Sequence, residues 1–196
     1  MIARFVAVLA VSAVLSGCAT TPAPLQISRS IAVLPANNLT GDPLLVTGAG
    51  LIDRYVRHAA EVSVGDVLQS EARYQLQQKG FDVREWKGPA SGADGTPTSL
   101  DGALDLARQH GVQSTVLYLE IRRWEPDAPT HTRYVVVALT ASLIDPVTGR
   151  EIWHEQRKAA PVGTQGVITV ESAYVVAARK IIAEMLAPLW PEPPAK

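Results

Sequence analysis

The sequence predicts an α/β (α+β) sandwich: a mixed sheet of about five strands with three helices packed on it. Three observations carry the prediction. Strand-like apolar runs alternate twice with helix-period stretches in the first part of the chain. Three β-rich runs then follow in series. A last amphipathic stretch closes the chain, so the expected order is β-α-β-α-β-β-β-α.

The first strand is residues 30–35 (SIAVLP), apolar on both faces and closed by Pro35. Residues 37–43 are dense in turn formers. In residues 44–62 Gly48 and Gly50 flank Ala49, but no third glycine and no Gly-Lys-Ser/Thr follows. Neither nucleotide-binding fingerprint is complete, and the stretch reads as a loop. Residues 51–58 suit strand or helix, and Arg54, Tyr55 and Arg57 suggest a partly exposed surface there.

Ser63 and Asp66 have the spacing of a capping box, with Asp in place of the usual Glu. Val64, Val67, Leu68, Ala72 and Leu76 recur at helical spacing, and Gly80 supplies the stop. Residues 81–86 alternate as a strand, and residues 87–97 form a Gly/Pro-rich loop. A second helix is expected over residues 99–110, with Leu100, Ala103, Leu104 and Ala107 on one face and Gly111 after it. The serial strands are residues 112–124, 132–144 and 150–157. Residues 125–131, with two prolines, join the first pair; a hairpin at residues 145–149 joins the second. The final helix is expected over residues 169–189, with Val170, Ala173, Tyr174, Ala177, Ile181, Met185 and Leu189 as its buried stripe. Residues 191–196 are a proline-rich tail.

At 196 residues, with 47% hydrophobic and 19% charged, the chain has the length and composition of one ordinary domain, expected over residues 29–190. The formal net charge is −1 and no basic block is present, so a nucleic-acid partner is not expected.

The N-terminus has a different character. Arg4 precedes an uncharged apolar run over residues 5–15, followed by Ser16 and Gly17. This is the layout of a secretory signal peptide. The run is shorter than the roughly 20 residues that a spanning helix needs. Leu15-Ser16-Gly17-Cys18 resembles the bacterial lipobox. The resemblance implies recognition of Leu15, Ser16 and Gly17 by a dedicated peptidase and cleavage of residues 1–17. It also implies diacylglycerol on the Cys18 sulfur and usually an acyl group, such as palmitate, on the new amino group. Two or three chains hold a protein durably where one binds only marginally. An ordinary signal peptide, or a buried apolar strand, is the alternative. Cys18 is the single cysteine, so no disulfide within the chain is possible. Residues 18–28 then read as the lipidated cysteine and a short tether. Ala19 resembles the enteric sorting pattern for the outer membrane, placing the domain at its inner leaflet, facing the periplasm.

The sequence holds little reaction chemistry. His58, His110, His131 and His154 fall on four different elements, and no His-Glu-x-x-His occurs. With Cys18 lipidated no thiolate ligand remains, so no metal site is expected. No Gly-x-Ser-x-Gly elbow marks a nucleophile. Asp101 and Asp105 are expected on the solvated face of the second helix, and Glu151 and Glu155 on one face of a surface strand. No catalytic residue and no cofactor is assigned. Trp124 and Trp153 lie near strand ends beside Arg122, Arg123 and His154. They suit interface anchors, caps on the core edge or a membrane surface. With Arg54 and Tyr55 they form the candidate partner surface.

Residues 31–43 (IAVLPANNLTGDP) resemble the opening of TolB N-terminal-type and CsgG-like domains. Residues 144–154 (IDPVTGREIWH) are similar to a hairpin common in such lipoproteins. The element order agrees over nearly the whole mature chain. Ala36 departs from a frequent aromatic, and residues 44–62 look like an insertion. The resemblance implies a non-enzymatic periplasmic domain serving assembly, secretion or cell-wall machinery, with a protein partner or further copies of itself. Auxiliary lipoproteins of ABC-type lipid transporters are similar at this level, and that reading requires an apolar cavity beneath the final helix. An envelope hydrolase would require a clustered, buried polar set.

Overall fold

A computed structural model describes residues 25–46, 62–88, 96–129 and 132–193. The principal sheet has six strands: β2 (Ser30–Val33), β3 (Asn37–Asn38), β6 (Asp82–Arg84), β7 (Thr115–Pro126), β8 (Tyr134–Asp145) and β9 (Arg150–Gly163). Their order is β6-β2-β7-β8-β9. β2 runs parallel to β6 and β7, while β7, β8 and β9 form an antiparallel meander. The sheet is therefore mixed, as expected. β3 prolongs the line of β2 along β7, opposite Glu120 and Ile121. Pro35 falls in the gap between them, where a missing N–H interrupts the ladder.

Helices α1 (Val64–Gln78) and α3 (Val170–Met185) cover one face of the sheet, and α2 (Leu100–Gln109) covers part of the other. Each start is set by a side chain. Ser63 Oγ accepts from the Asp66 N–H, and the Asp66 carboxylate accepts from the Ser63 N–H at 2.9 Å, so the shorter Asp closes the capping box. Ser99 and Thr169 cap α2 and α3. Gly80 (φ 89°) and Gly111 (φ 65°) take the left-handed conformation that lets the chain leave α1 and α2.

The larger core lies between the sheet and the α1/α3 layer. Leu117, Leu119 and Ile121 of β7 and Val137, Leu139 and Ala141 of β8 meet Leu68 and Ala72 of α1 and Ala173, Ala177 and Ile181 of α3. The smaller core sets Ala103 and Ala107 of α2 against Ala32, Leu34, Val116, Tyr118 and Ile144. α3 also buries Val175, Ala178 and Ile182, a second stripe beyond the expected one, because it packs on α1 as well as on the sheet.

Several boundaries differ from expectation. α3 stops at Met185; Pro188 disfavours helix just before it, and Leu189 instead joins β10 (Leu189–Pro191). β9 runs on to Gly163 because the full length of β8 needs a partner, with Tyr134 opposite Gly163. Pro161 is tolerated since β9 is an edge strand. The expected tether enters the fold early: β1 (Leu25–Ile27) pairs in parallel with β10. Ile27 is 3% exposed and Leu25 packs on the core, so this short alternation suffices to dock the strand. Pro191, at the head of the expected tail, belongs to the same ribbon. The ends of the expected loop at residues 44–62 are instead strands: β4 (Leu45–Val46) and β5 (Val62–Ser63) pair antiparallel. Cys18 with residues 15–17, and Gly48, Gly50, Arg54 and Tyr55, lie outside the described residues.

Candidate functional site

β7 points Leu117, Leu119 and Ile121 into the large core, so Tyr118, Glu120 and Arg122 alternate onto the other face. Leu100, at the start of α2, borders that face. Thr140 and Ser142 of β8 and Glu151 and His154 of β9 complete it, around a cavity of about 240 Å³. Arg122 Nε donates to Thr140 Oγ1 at 2.9 Å, and its terminal nitrogen to Glu120 at 2.7 Å. The Tyr118 hydroxyl donates to the Pro97 carbonyl at 3.1 Å. Burial, reinforced by the Glu120 charge, pushes the Tyr118 phenol far above its ordinary value, so it stays a hydroxyl donor.

Ser142, His154 and Glu151 are the one grouping here with nucleophile-base-acid chemistry. Ser142 Oγ lies 3.2 Å and Glu151 Oε1 3.0 Å from the same atom, His154 Nδ1. A catalytic triad needs the hydroxyl and the carboxylate on opposite ring nitrogens, so that one nitrogen takes the proton while the other is held. With both partners on Nδ1, the imidazole cannot serve Ser142 as a base held by Glu151. One nitrogen cannot accept from Ser142 while donating to Glu151, so the two contacts compete for Nδ1. Among the described residues no group of His, Cys, Asp or Glu is placed to hold a metal ion.

The candidate partner surface needs correction. Trp124 is 2% exposed and belongs to the large core, its ring edge-on to Tyr174 at 6.1 Å. The cause is a β-bulge in β7 between Ile121 and Arg123. Strict alternation from Ile121 would turn Trp124 outward; the extra residue reverses the phase and turns it inward. Trp124 is thus unavailable to a partner. Trp153 is half-buried and packs on the same core from β9. A second bulge, near Leu143 and Ile144, separates the two glutamates. Glu151 lies opposite Ile144 of the small core and Glu155 opposite Ala141 of the large one, so they face opposite sides. Asp101 and Asp105 are both exposed on α2, as expected.

Two arrangements escaped the sequence reading. Glu71, 4% exposed on α1, pairs with Arg179 on α3, with two guanidinium nitrogens at 3.2 Å. His110 sets its ring edge against Trp86 at 5.1 Å beside a groove of about 510 Å³ that Arg84 and Lys87 also line. Glu71 sits within the apolar stripe of α1, and that misplacement was its only signal.

No family model matches the chain, and no curated protein matches it. Solved structures do. PelC from Paraburkholderia phytofirmans, crystallised as a dodecamer, is 20% identical over 87% of this chain and 95% of its own, at a TM-score of 0.54. The hypothetical protein CT253 from Chlamydia trachomatis is 12% identical over 82% of this chain and 95% of its own, at 0.50. Lipoprotein GNA1162 from Neisseria meningitidis is a looser match, 17% identical over 81% of this chain and 96% of its own, at 0.45. At these identities the likeness is one of fold, and this chain shares the fold of PelC and CT253.

Proposed function

We propose that this chain is a lipid-anchored protein of the bacterial envelope, held through Cys18 at the inner leaflet of the outer membrane. There it serves, without catalysis, as an accessory component of a secretion, assembly or cell-wall machine. The observation that carries the reading is Leu15-Ser16-Gly17-Cys18 behind a short apolar run. Support comes from the resemblance of residues 31–43 and 144–154 to TolB N-terminal-type and CsgG-like domains. A fold shared with PelC, a dodecamer, favours contact with further copies of the chain as the working mode. The nucleophile-like trio, with both partners on one nitrogen, gives an envelope hydrolase no support.

The test is fractionation of the wild-type protein and Cys18→Ala, with labelled palmitate. The wild type is expected in the membrane fraction and labelled, the variant soluble and unlabelled. Membrane retention of Cys18→Ala would sink the anchor. Light scattering on the domain from residue 19 onward then reports its assembly: a defined oligomer supports self-association, and a monomer leaves a foreign protein as the partner.

The alternative, an auxiliary subunit of an ABC-type lipid-transport system, needs room for an apolar ligand between α3 and the sheet. A cavity wide enough for an acyl chain leaves its lining accessible to a water-sized sphere. Val137, Leu139, Ala141, Ala173, Ala177 and Ile181 are all at 0% exposure, and that space is filled with side chains.

A further inference from the structure

The tether enters the fold at Leu25, where β1 meets β10. Cys18 and Leu25 are seven residue steps apart, a reach of at most about 25 Å. The end of the domain that carries Leu25 is therefore the end nearest the lipid. That end also exposes three large apolar side chains, Trp190, Val147 and Ile152. In the β1–β10 ribbon Leu25 and Leu189 turn to the core, so the next pair, Gln26 and Trp190, turns outward. Trp190 is 48% exposed. Gln26 lines one groove with Val147, at the tip of the β8–β9 hairpin, and Ile152. Val147 is 70% and Ile152 44% exposed.

We infer that Trp190, Val147 and Ile152 form a membrane-contacting face that rests the domain on the bilayer holding its lipid anchor. The inference rests on the anchor proposed above. Tryptophan suits the headgroup region, with an apolar ring and one N–H donor. The ring is also held in place, since the Lys79 ammonium lies 4.9 Å from its centre. Asp145 and Glu192 border the same groove, so the surface that fits is zwitterionic rather than strongly anionic. The opposite end of the meander lies about 40 Å away along the twelve residues of β8. Ile168, 75% exposed, follows β9 at that far end and is not part of the face.

The experiment uses the lipidated protein in phosphatidylcholine vesicles, with flotation as a control for the anchor. Brominated acyl chains are expected to quench tryptophan emission in the wild type. Trp190→Phe, which keeps a ring for Lys79, should float equally and lose most of that quenching. Cys18 is consumed by the lipid, so Val147→Cys and Ile168→Cys each carry one free thiol for an environment-sensitive dye. A blue shift on vesicle binding is expected at position 147 and none at 168. Flotation without quenching, equal quenching in Trp190→Phe, or equal shifts at both positions would overturn the contact face and leave the anchor standing. Such results would also be expected if a second copy covers the patch. Failure of the wild type to float would overturn the anchor and the face together.

Discussion

Lys79, the C-cap of α1, ties down the end of α3: its Nζ donates to the Leu186 carbonyl at 2.7 Å and also to Ala187 and Leu189, at 2.8 and 3.1 Å. An ammonium has three protons, and all three are placed. The carbonyls at a helix C-terminus lack intrahelical donors and carry the negative end of the macrodipole, so a cation there both satisfies and neutralises them. Burial lowers the Lys79 pKa from its ordinary value. Lys79→Met should keep the packing of the stem but remove the ammonium from all three carbonyls, leaving Leu186 with only the Leu189 N–H at 3.1 Å, at a cost of about 1–3 kcal/mol. Urea unfolding monitored by circular dichroism reads the loss. Because Leu189 also begins β10, hydrogen exchange at β1 and β10 should quicken in the same variant.

The Asp145 carboxylate holds the β8–β9 hairpin. It accepts from Thr148 Oγ1 at 2.6 Å and from the Val147 N–H at 2.9 Å. The Thr148 hydroxyl, with the Val147 and Thr148 backbone N–H groups, holds its pKa below the usual carboxylate value. A depressed folded-state pKa means that the unfolded chain binds the proton first. The contribution is therefore present above the ordinary Asp value and is lost as pH falls through the folded one. Thermal midpoints measured downward from pH 6 should fall less steeply in Asp145→Asn than in the wild type. Equal slopes would show that the carboxylate contributes nothing.

Much of this architecture is written in local sequence. Ser63, Ser99 and Thr169 mark the three helix starts because capping is settled within four residues. The meander is legible because β-branched runs and the Asp145–Gly149 turn are also local. The orientation of Trp124 is not local: it depends on one extra residue in β7 that is visible only against the partner strand β8. The β1–β10 ribbon joins segments at the two ends of the described chain, and three residues carry too little periodicity to announce it. The polar face of Glu120, Arg122, Ser142 and His154 assembles from three strands, with no recurring spacing in the sequence. The proposed lipobox is the opposite case, since the whole resemblance lies in the four consecutive residues Leu15 to Cys18.

Glu71 and Arg179 fix how α1 meets α3. Glu71 is buried and Arg179 is about half exposed. Removing the cation takes two N–H donors from the carboxylate in the interior, so Arg179→Met should cost about 1–3 kcal/mol. Glu71→Leu with Arg179→Met replaces the pair by apolar contact between two helices already packed through Leu68, Ala72, Ala178 and Ile182. Such replacements are often neutral or stabilising, so the double variant should be more stable than Arg179→Met alone. A denaturant cycle over the four proteins measures the coupling, and additive single effects would refute it.

Trp124 Nε1 is buried and has no hydrogen-bond partner among the described residues. Trp124→Phe removes that donor while keeping a ring against Tyr174. Relief of an unsatisfied group is worth about 1–3 kcal/mol, and the lost ring volume opposes it by a similar amount. The net change in unfolding free energy should lie within about 1 kcal/mol of zero. Trp124→Ala empties the site between β7 and α3 and should cost about 3–5 kcal/mol. An interface anchor would behave in the reverse way: truncation to alanine would leave folding intact and abolish association. Paired denaturation and light-scattering measurements on the two variants therefore separate a core residue from an anchor. The 2% exposure of this ring predicts loss of stability before any loss of association.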